Sequence, residues 1–579
     1  MVIFMVRGKP QVIMIRSKRK GWLARVHRLV FGAVWIMAIA CGGSDKPKEI
    51  VLVDQPEQVP LVVSEQISEL LEYISNRDGY LNDSTRLSQT GLLQSFYSER
   101  HNQPVWSEGN AWTPAGDSLF FFISQSKKSG LFPSDYYHLP LLEIRNKMVL
   151  DSISRKNAVL WARADLLLTD ACWKLAQDLK YGHLQKDSVT LRKDTALTDS
   201  QRLVIVQNIL QSGRPGSVLE TLEPQHDGYR QLKSALAIFL QTARFERVEK
   251  IPYPAPDSLQ FVDQVAAKLR ELGYIDSSWR AGDDSLLYAK AVKKYQQARG
   301  IPSTGLAATL TVASLNTTDW DYFQTAALNL DRYRQLPETL PSTYIWVNLP
   351  AFQLKVINED TVALESKIIV GNPKTPTPVL NSAVTNFITY PQWTVPYSII
   401  FKEMLPKIRK DINYLEKENL MVVDKYDSVI PPENINWATV TQHNFPYLIR
   451  QREGDDNSLG VMKFNFRNKY AVYLHDTNAR GLFSRDNRAL SHGCVRVQQW
   501  EKLANFLVRN NEIRYPPDTI RALIQRQEKK TISDFSPVPI YIRYFTAEAH
   551  QGKIRFFGDI YGEDKRLIER YYASKPEYP

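Results

Sequence analysis

The sequence predicts a multidomain protein: a mostly α N-terminal scaffold and a small three-helix module, followed by a mostly β domain that carries an inserted helical subdomain. Three observations lead there. Apolar residues recur at helical spacing as far as about residue 316, they alternate one by one from about residue 344, and Pro252, Pro254 and Pro256 punctuate the helical part. A chain of 579 residues with 43% hydrophobic content has room for two to four domains with ordinary cores, which excludes a disordered or fibrous protein.

Taken in order, Arg16, Lys18, Arg19, Lys20, Arg25 and Arg28 precede the apolar stretch Leu29 to Ala40, which meets Cys41-Gly42-Gly43-Ser44. That layout predicts a secretory signal over residues 1–40, with Met14 as a start that gives it ordinary length. The stretch is shorter than the roughly 20 residues of a spanning helix. Small residues before a cysteine resemble the bacterial lipoprotein signal, with Ala38 where leucine is usual. Cys41 is therefore expected to be lipidated, an uncleaved membrane anchor being the alternative. Both place the body outside the cytoplasm, periplasmic and membrane-anchored. Residues 41–63, polar and proline-bearing, read as a tether.

Residues 64–250 read as a helical scaffold, with Ala164 to Ala171 and Val218 to Glu220 as helix pieces and Gly130 to Tyr136 as a loop. In residues 257–316, Val262, Val265, Ala266, Leu269 and Leu272 fall at helical spacing and stop at Gly273. A second helix carries Tyr288, Ala291, Val292 and Tyr295 and ends near Gly300. With Gly305 and Leu315-Asn316 this region resembles the three-helix peptidoglycan-binding module. From 340 to 566 a β domain is expected, with strands at Tyr344 to Leu349, Phe352 to Val356, Lys367 to Gly371 and Tyr470 to His475. Residues 401–450 form the helical insertion, and Val538 to Tyr544 with Lys553 to Phe557 form a terminal hairpin.

The net charge of +11 is scattered and crowded into the first 28 residues, so nucleic acid is not an expected partner. Three cysteines in unlike settings exclude a disulfide framework. Cys172, among apolar helical residues, reads as an inert buried thiol. Cys494 ends the run Ser491-His492-Gly493-Cys494. A nucleophilic cysteine needs thiolate character, a nearby base and backbone donors for an oxyanion. Gly493 allows a close backbone approach, and either His475, at a strand end, or His492 can serve as the base. The histidine precedes the cysteine by 19 residues (494 minus 475), the reverse of the papain order. A zinc site from His475, His492 and Cys494 lacks a fourth ligand, so no metal and no cofactor are expected.

Tyr473-Leu474-His475-Asp476-Thr477 followed by Ser491-His492-Gly493-Cys494-Val495-Arg496 resembles the signature of the YkuD-type L,D-transpeptidases. Gly371, Thr375-Pro376, Trp393 to Pro396, Leu459-Gly460, Lys463-Phe464 and Phe483 to Arg485 extend the likeness, and the helical regions point to the large YcbB-like branch. Lys374 departs from the pattern, standing where the family often has arginine before Thr-Pro. The resemblance implies that Cys494, activated by His475, attacks a peptidoglycan stem tetrapeptide, expels D-alanine and leaves a thioester that a neighbouring stem amine resolves to a 3→3 cross-link. It gives His475 a backbone carbonyl of Asp476 as its orienter and lines the oxyanion region with His492 and Gly493. Arg496 then meets a substrate carboxylate, Tyr473 and Trp393 line the cleft, and Ser491 supports the turn. Competing readings are a non-catalytic tethering lipoprotein, an L,D-carboxypeptidase, and an enzyme that attaches protein to peptidoglycan.

Overall fold

The computed structural model describes residues 49–575 except 83, 186–188, 190–191, 247–248 and 300–301. The predicted signal sequence and Cys41 lie outside the described residues. The scaffold is organised around the helix Ala158–Tyr181, capped by the Asn157 side chain on Val159 N and stopped at Gly182. Apolar residues on all its sides make it the central rod. Trp161, Leu166, Leu168, Cys172, Trp173 and Leu179 are buried, and burial pushes the Cys172 thiol up to about 12, so it stays an unreactive thiol. Its two buried acids collect backbone donors from the loops around it. Asp165 accepts from Val105 N, Trp106 N and the Tyr97 hydroxyl, and Asp170 from Ser88 N, Gln89 N and the Tyr137 hydroxyl.

The predicted tether is too long. Val59–Ser75 is a helix whose Val59, Val63, Ile67 and Leu70 join the scaffold core, and Val53 is buried beside it. The prolines mislead here, because Pro60 sits in the first helical turn, where its missing N–H costs nothing. The predicted module is present as three helices, Ser258–Glu271, Ser285–Ala298 and Thr309–Leu315, around Val265, Leu269, Val292, Tyr295 and Val312. After it, Asp319–Arg334 returns to the scaffold, where Trp320 and Phe323 pack with Phe132, Tyr229 and the C-terminal Tyr572. The scaffold is thus built from segments distant in sequence.

A buried charge cluster locks that return. His183 lies 3.3 Å from Asp135, 3.5 Å from Asp178 and 3.5 Å from Asp331, while Arg334 pairs with Asp331 at 2.7 Å and Lys575 pairs with Asp135. Burial pushes the imidazole pKa down, but the Asp178, Asp135 and Asp331 carboxylates outweigh it and hold His183 at about 10.

In the β domain we label the strands β1 (Thr343–Asn348), β2 (Gln353–Asn358), β3 (Thr361–Gly371), β4 (Leu380–Thr389), β5 (Met462–Phe466), β6 (Leu474–His475), β7 (Val495–Val497), β8 (Lys530–Ile532) and β9 (Val538–Arg543). Hydrogen-bonded neighbours run β5-β6-β7-β3-β2-β1-β9-β4-β8, and β5 also pairs with β4, so the pairings close into a ring. Ile345, Val347, Leu354, Ile368, Val370, Phe387, Phe464, Leu474, Val495 and Ile540 form its core, with helix Trp500–Val508 packed on through Leu503 and Leu507.

Three expectations in this domain need correction. Tyr470 to Tyr473 is not strand: Asn468 Oδ1 accepts the Tyr470 and Val472 N–H groups, its Nδ2 donates to Val472 O, and Ala471 takes φ +55°. The terminal hairpin does not form. Strand β9 is a central strand, parallel to β1 and antiparallel to β4, while Lys553–Phe556 pairs with Ala547–His550. The insertion is not simply helical. Short helices between Tyr397 and Lys417 pack on a four-stranded sheet of Trp393–Thr394, Leu448–Gln451, Leu420–Val423 and Val429–Ile430, sharing the core residues Ile400, Leu405, Val422, Trp437, Phe445 and Ile449. Its charged surface hid those short strands in the sequence.

His183→Leu is expected to destabilise the scaffold by roughly 3–5 kcal/mol at neutral pH, because it strands buried carboxylates. The stabilisation from charging His183 is complete below its unfolded pKa of about 6.5 and is lost as pH rises through about 10. The gap between wild type and variant in urea midpoint should therefore close between those pH values. A gap constant with pH contradicts this assignment.

Candidate active site

Strand pairing alone assembles the site. Parallel pairing of β6 with β7 sets Leu474 opposite Val495 and His475 opposite Arg496, and Val495 N donates to Tyr473 O at 3.1 Å. Antiparallel pairing of β5 with β6 sets Lys463 opposite His475 and Phe464 opposite Leu474. Leu474, Val495 and Phe464 enter the core, so by the two-residue period of a strand Lys463, Tyr473, His475, Cys494 and Arg496 share the opposite face. Five side chains from three chain segments meet there.

Cys494 is half-buried, its Sγ 3.9 Å from Ala471 O. Burial pushes its thiol up, opposed by hydrogen bonds from the Tyr473 backbone and side chain and by the charges of Lys463 and Arg496. The resting residue is a thiol held among groups that favour the thiolate. His475 is buried and pushed down to about 3, first by burial and then by the Arg496 charge, so its imidazole is neutral at physiological pH. The carbonyls of Asp476 and Leu459 lie beside the ring and favour its protonated form, although Nδ1 makes no hydrogen bond of full geometry. A neutral imidazole on the same sheet face as a neutral thiol is the protonation state from which a base can accept a proton.

Asp476 supports the site through its buried carboxylate. It accepts from Val461 N at 3.1 Å and Arg480 at 2.7 Å, so closely packed that a Cβ at Gly460 would fall 2.3 Å from Oδ2. Ser491 braces the turn before Cys494, its hydroxyl donating to Cys494 O at 2.6 Å and accepting from Gly493 N at 3.2 Å. Gly493, at φ +119°, needs the freedom of glycine, but its amide is turned toward Ser491 rather than left open as an oxyanion donor. Thr377 fixes the turn from the far side: its hydroxyl donates to Gly493 O at 2.8 Å and accepts Gly371 N at 2.8 Å. Exposed Lys374 lies in the same loop.

The two histidines separate. His492 is exposed and its Nε2 lies 2.9 Å from Glu403 Oε1 of the insertion. The insertion also reaches the site through Trp393, which hydrogen-bonds the Tyr473 side chain. Arg496 is half-buried, 3.3 Å from Thr477 Oγ1, with Nε unpartnered, and among the described residues it forms no salt bridge. Sequence reasoning assigned no role to Lys463, whose ammonium stacks 4.2 Å from the Tyr473 ring centroid, or to Glu403 and Thr377. For Lys463 a signal existed, a cation alternating between the core residues Met462 and Phe464. For Glu403 and Thr377 none did, because their contacts span 89 and 116 residues.

Residues 91–236 match the family model of a scaffold domain, and residues 342–529 match that of an L,D-transpeptidase catalytic domain, the YkuD family. The C-terminal β domain is thus similar to an L,D-transpeptidase catalytic domain of the YkuD family, and the region before it to a scaffold domain. A candidate L,D-transpeptidase of Haemophilus influenzae is 36% identical over 245 residues, 42% of this chain and 49% of that protein, so the match spans about half the length of the curated relative. Similar solved structures include an L,D-transpeptidase of Stackebrandtia nassauensis (14% identity, TM-score 0.17, 51% of this chain and 97% of that one). The catalytic domain of an E. faecium L,D-transpeptidase acylated by ertapenem is also similar (14%, TM-score 0.17, 35% and 99%). Such TM-scores are too low to carry an argument.

Lys463→Met is expected to shift the pH profile of Cys494 alkylation by iodoacetamide upward. Losing the cation disfavours the thiolate, so alkylation slows several-fold at neutral pH, while Lys463→Arg keeps the profile. An unchanged profile in Lys463→Met removes Lys463 from the account.

Proposed function

We propose that the chain is a peptidoglycan L,D-transpeptidase that forms 3→3 cross-links through a thioester on Cys494. The observation that carries this reading is the shared sheet face that sets Cys494 beside Tyr473 and His475 beside Arg496, within a domain similar to those of this family. Cys494 attacks the carbonyl before the terminal D-alanine of a donor tetrapeptide. The thiol proton passes to the neutral His475 imidazole and then to the departing D-alanine amine, leaving the thioester. A side-chain amine of a neighbouring stem then attacks the thioester, giving up a proton to His475, and the thiol is restored. Tyr473, whose hydroxyl is kept neutral by burial and by Cys494, donates toward the reacting centre. Arg496, a half-buried cation without a salt-bridge partner among the described residues, pairs with the donor carboxylate.

The membrane anchor and periplasmic location belong to this proposal, resting on the sequence around Cys41. The helical module fits the same setting as a peptidoglycan-binding element. The face holding Cys494, His475, Lys463 and Arg496 together favours this reading over a purely tethering lipoprotein.

Purified full-length protein incubated with a disaccharide tetrapeptide should release D-alanine and yield 3→3 dimers, resolved by chromatography and tandem mass spectrometry. Tripeptide without dimer supports a carboxypeptidase instead, and unchanged substrate overturns the enzyme reading. Arg496→Ala is expected to raise KM roughly tenfold or more, the scale of a lost hydrogen bond to a charged group, with a smaller change in kcat. An unaltered KM removes Arg496 from substrate binding.

A further inference from the structure

One end of the scaffold presents a group of large apolar side chains to solvent. Ile50 is 66% exposed, Leu52 52%, Val149 79%, Leu150 85% and Ile153 58%. Backbone pairing brings them together. The segment around Val51–Val53 runs antiparallel to residues 156–158: Leu52 bridges Asn157, Val53 N donates to Lys156 O at 2.9 Å, and Ala158 N to Val51 O at 2.9 Å. Alternation along it buries Val53 and turns Ile50 and Leu52 outward. Immediately before residue 156, the helix His138–Leu150 ends in Val149 and Leu150. Asp151 then caps the one-turn helix Ser152–Arg155, which lifts Ile153 into solvent one turn from Lys156. The protrusion is not a fold requirement, since none of the five contributes to a core.

What lies opposite this patch follows from the chain that enters beside it. Asn157 already holds the chain at Glu49 O and Val51 N, and Glu49 stands eight residues after Cys41 in the sequence. Eight peptide steps span at most roughly 28 Å. If the apolar stretch Leu29 to Ala40 or a lipid on Cys41 holds the chain in a bilayer, Ile50 and Leu52 cannot leave the neighbourhood of its surface. Among the described residues Lys147, Arg155 and Lys156 border the patch together with Glu143, Asp54 and Asp151; Glu143 pairs with Lys147 and Asp54 with Lys156, and Arg155 makes no salt bridge and is placed to meet an anionic headgroup.

We propose that Ile50, Leu52, Val149, Leu150 and Ile153 form a membrane-contact surface that seats the scaffold on the headgroup region of the anionic bilayer in which the chain is anchored. This rests on the anchoring part of the proposed function and is independent of the chemistry at Cys494. Contact at a second point beyond the tether removes the free swivel a flexible tether alone allows, and fixes the orientation of the scaffold on the membrane.

The test uses the full-length chain in vesicles of phosphatidylethanolamine and phosphatidylglycerol. Leu150→Cys, and separately Tyr426→Cys on the exposed surface of the insertion, carry a nitroxide in a Cys494→Ala background. Power-saturation electron paramagnetic resonance should show the Leu150 label relaxed more by oxygen than by a water-soluble nickel complex, with the reverse at Tyr426. A Leu150 label as accessible to nickel as the Tyr426 label, on vesicle-bound protein, overturns the contact surface. A chain that does not sediment with vesicles overturns the anchoring and this inference with it, and leaves the cross-linking reading untouched. Dipolar broadening between Leu150 labels in vesicle-free detergent solution assigns the patch to a second copy of the chain and also overturns the proposal.

Discussion

The hydrogen bond from Val495 N to Tyr473 O, with the short parallel ladder it belongs to, is the constraint on which the site depends. It joins two segments about twenty residues apart at a register in which Leu474 and Val495 must both face the core. Once they do, Cys494, Arg496, Tyr473 and His475 have no other face to occupy. A slip by one residue would bury the polar set and expose the apolar one. The register is therefore set by the hydrophobic core, not by the polar side chains of the site.

Around that ladder, second-tier contacts hold the backbone rather than the reacting groups. Ser491 and Thr377 hold the turn before Cys494, Asp476 holds the Gly460 turn beside His475, and Tyr561 donates to Gly371 O at 2.7 Å behind both. The charged groups work differently. Lys463 and Arg496 sit half-buried without carboxylate partners among the described residues, so their fields act on Cys494 and His475 unneutralised. One consequence is a thiol whose upward shift by burial these cations oppose, on the same sheet face as an imidazole kept neutral. The insertion completes the surroundings through Trp393 at Tyr473 and Glu403 at His492.

Much of this was legible in the sequence, for reasons particular to each element. Strands β1, β2 and the end of β3 alternate, and the helices at 258–271 and 285–298 have one apolar stripe each, so local period sufficed. The choice between His475 and His492 was not legible from the residues. Burial of His475 in a closed ring of strands and the contact of His492 with Glu403 of the insertion set the two apart, and neither leaves a local trace. The stretch 470–473 failed because one asparagine, Asn468, captures the hydrogen bonds that apolar alternation predicts for a ladder. The terminal hairpin failed because β9 pairs with strands about 155 and 195 residues earlier in the chain.

The central claim is that Cys494 becomes covalently acylated on this face. Rapid acid quenching of the wild-type protein mixed with a disaccharide tetrapeptide, followed by intact-protein and peptide mass spectrometry, tests it most directly. The account predicts a mass gain equal to the donor less D-alanine, localised to the peptide containing Cys494, cleaved by hydroxylamine and absent from Cys494→Ala. An unmodified Cys494 during turnover, or an adduct that persists in Cys494→Ala, contradicts it.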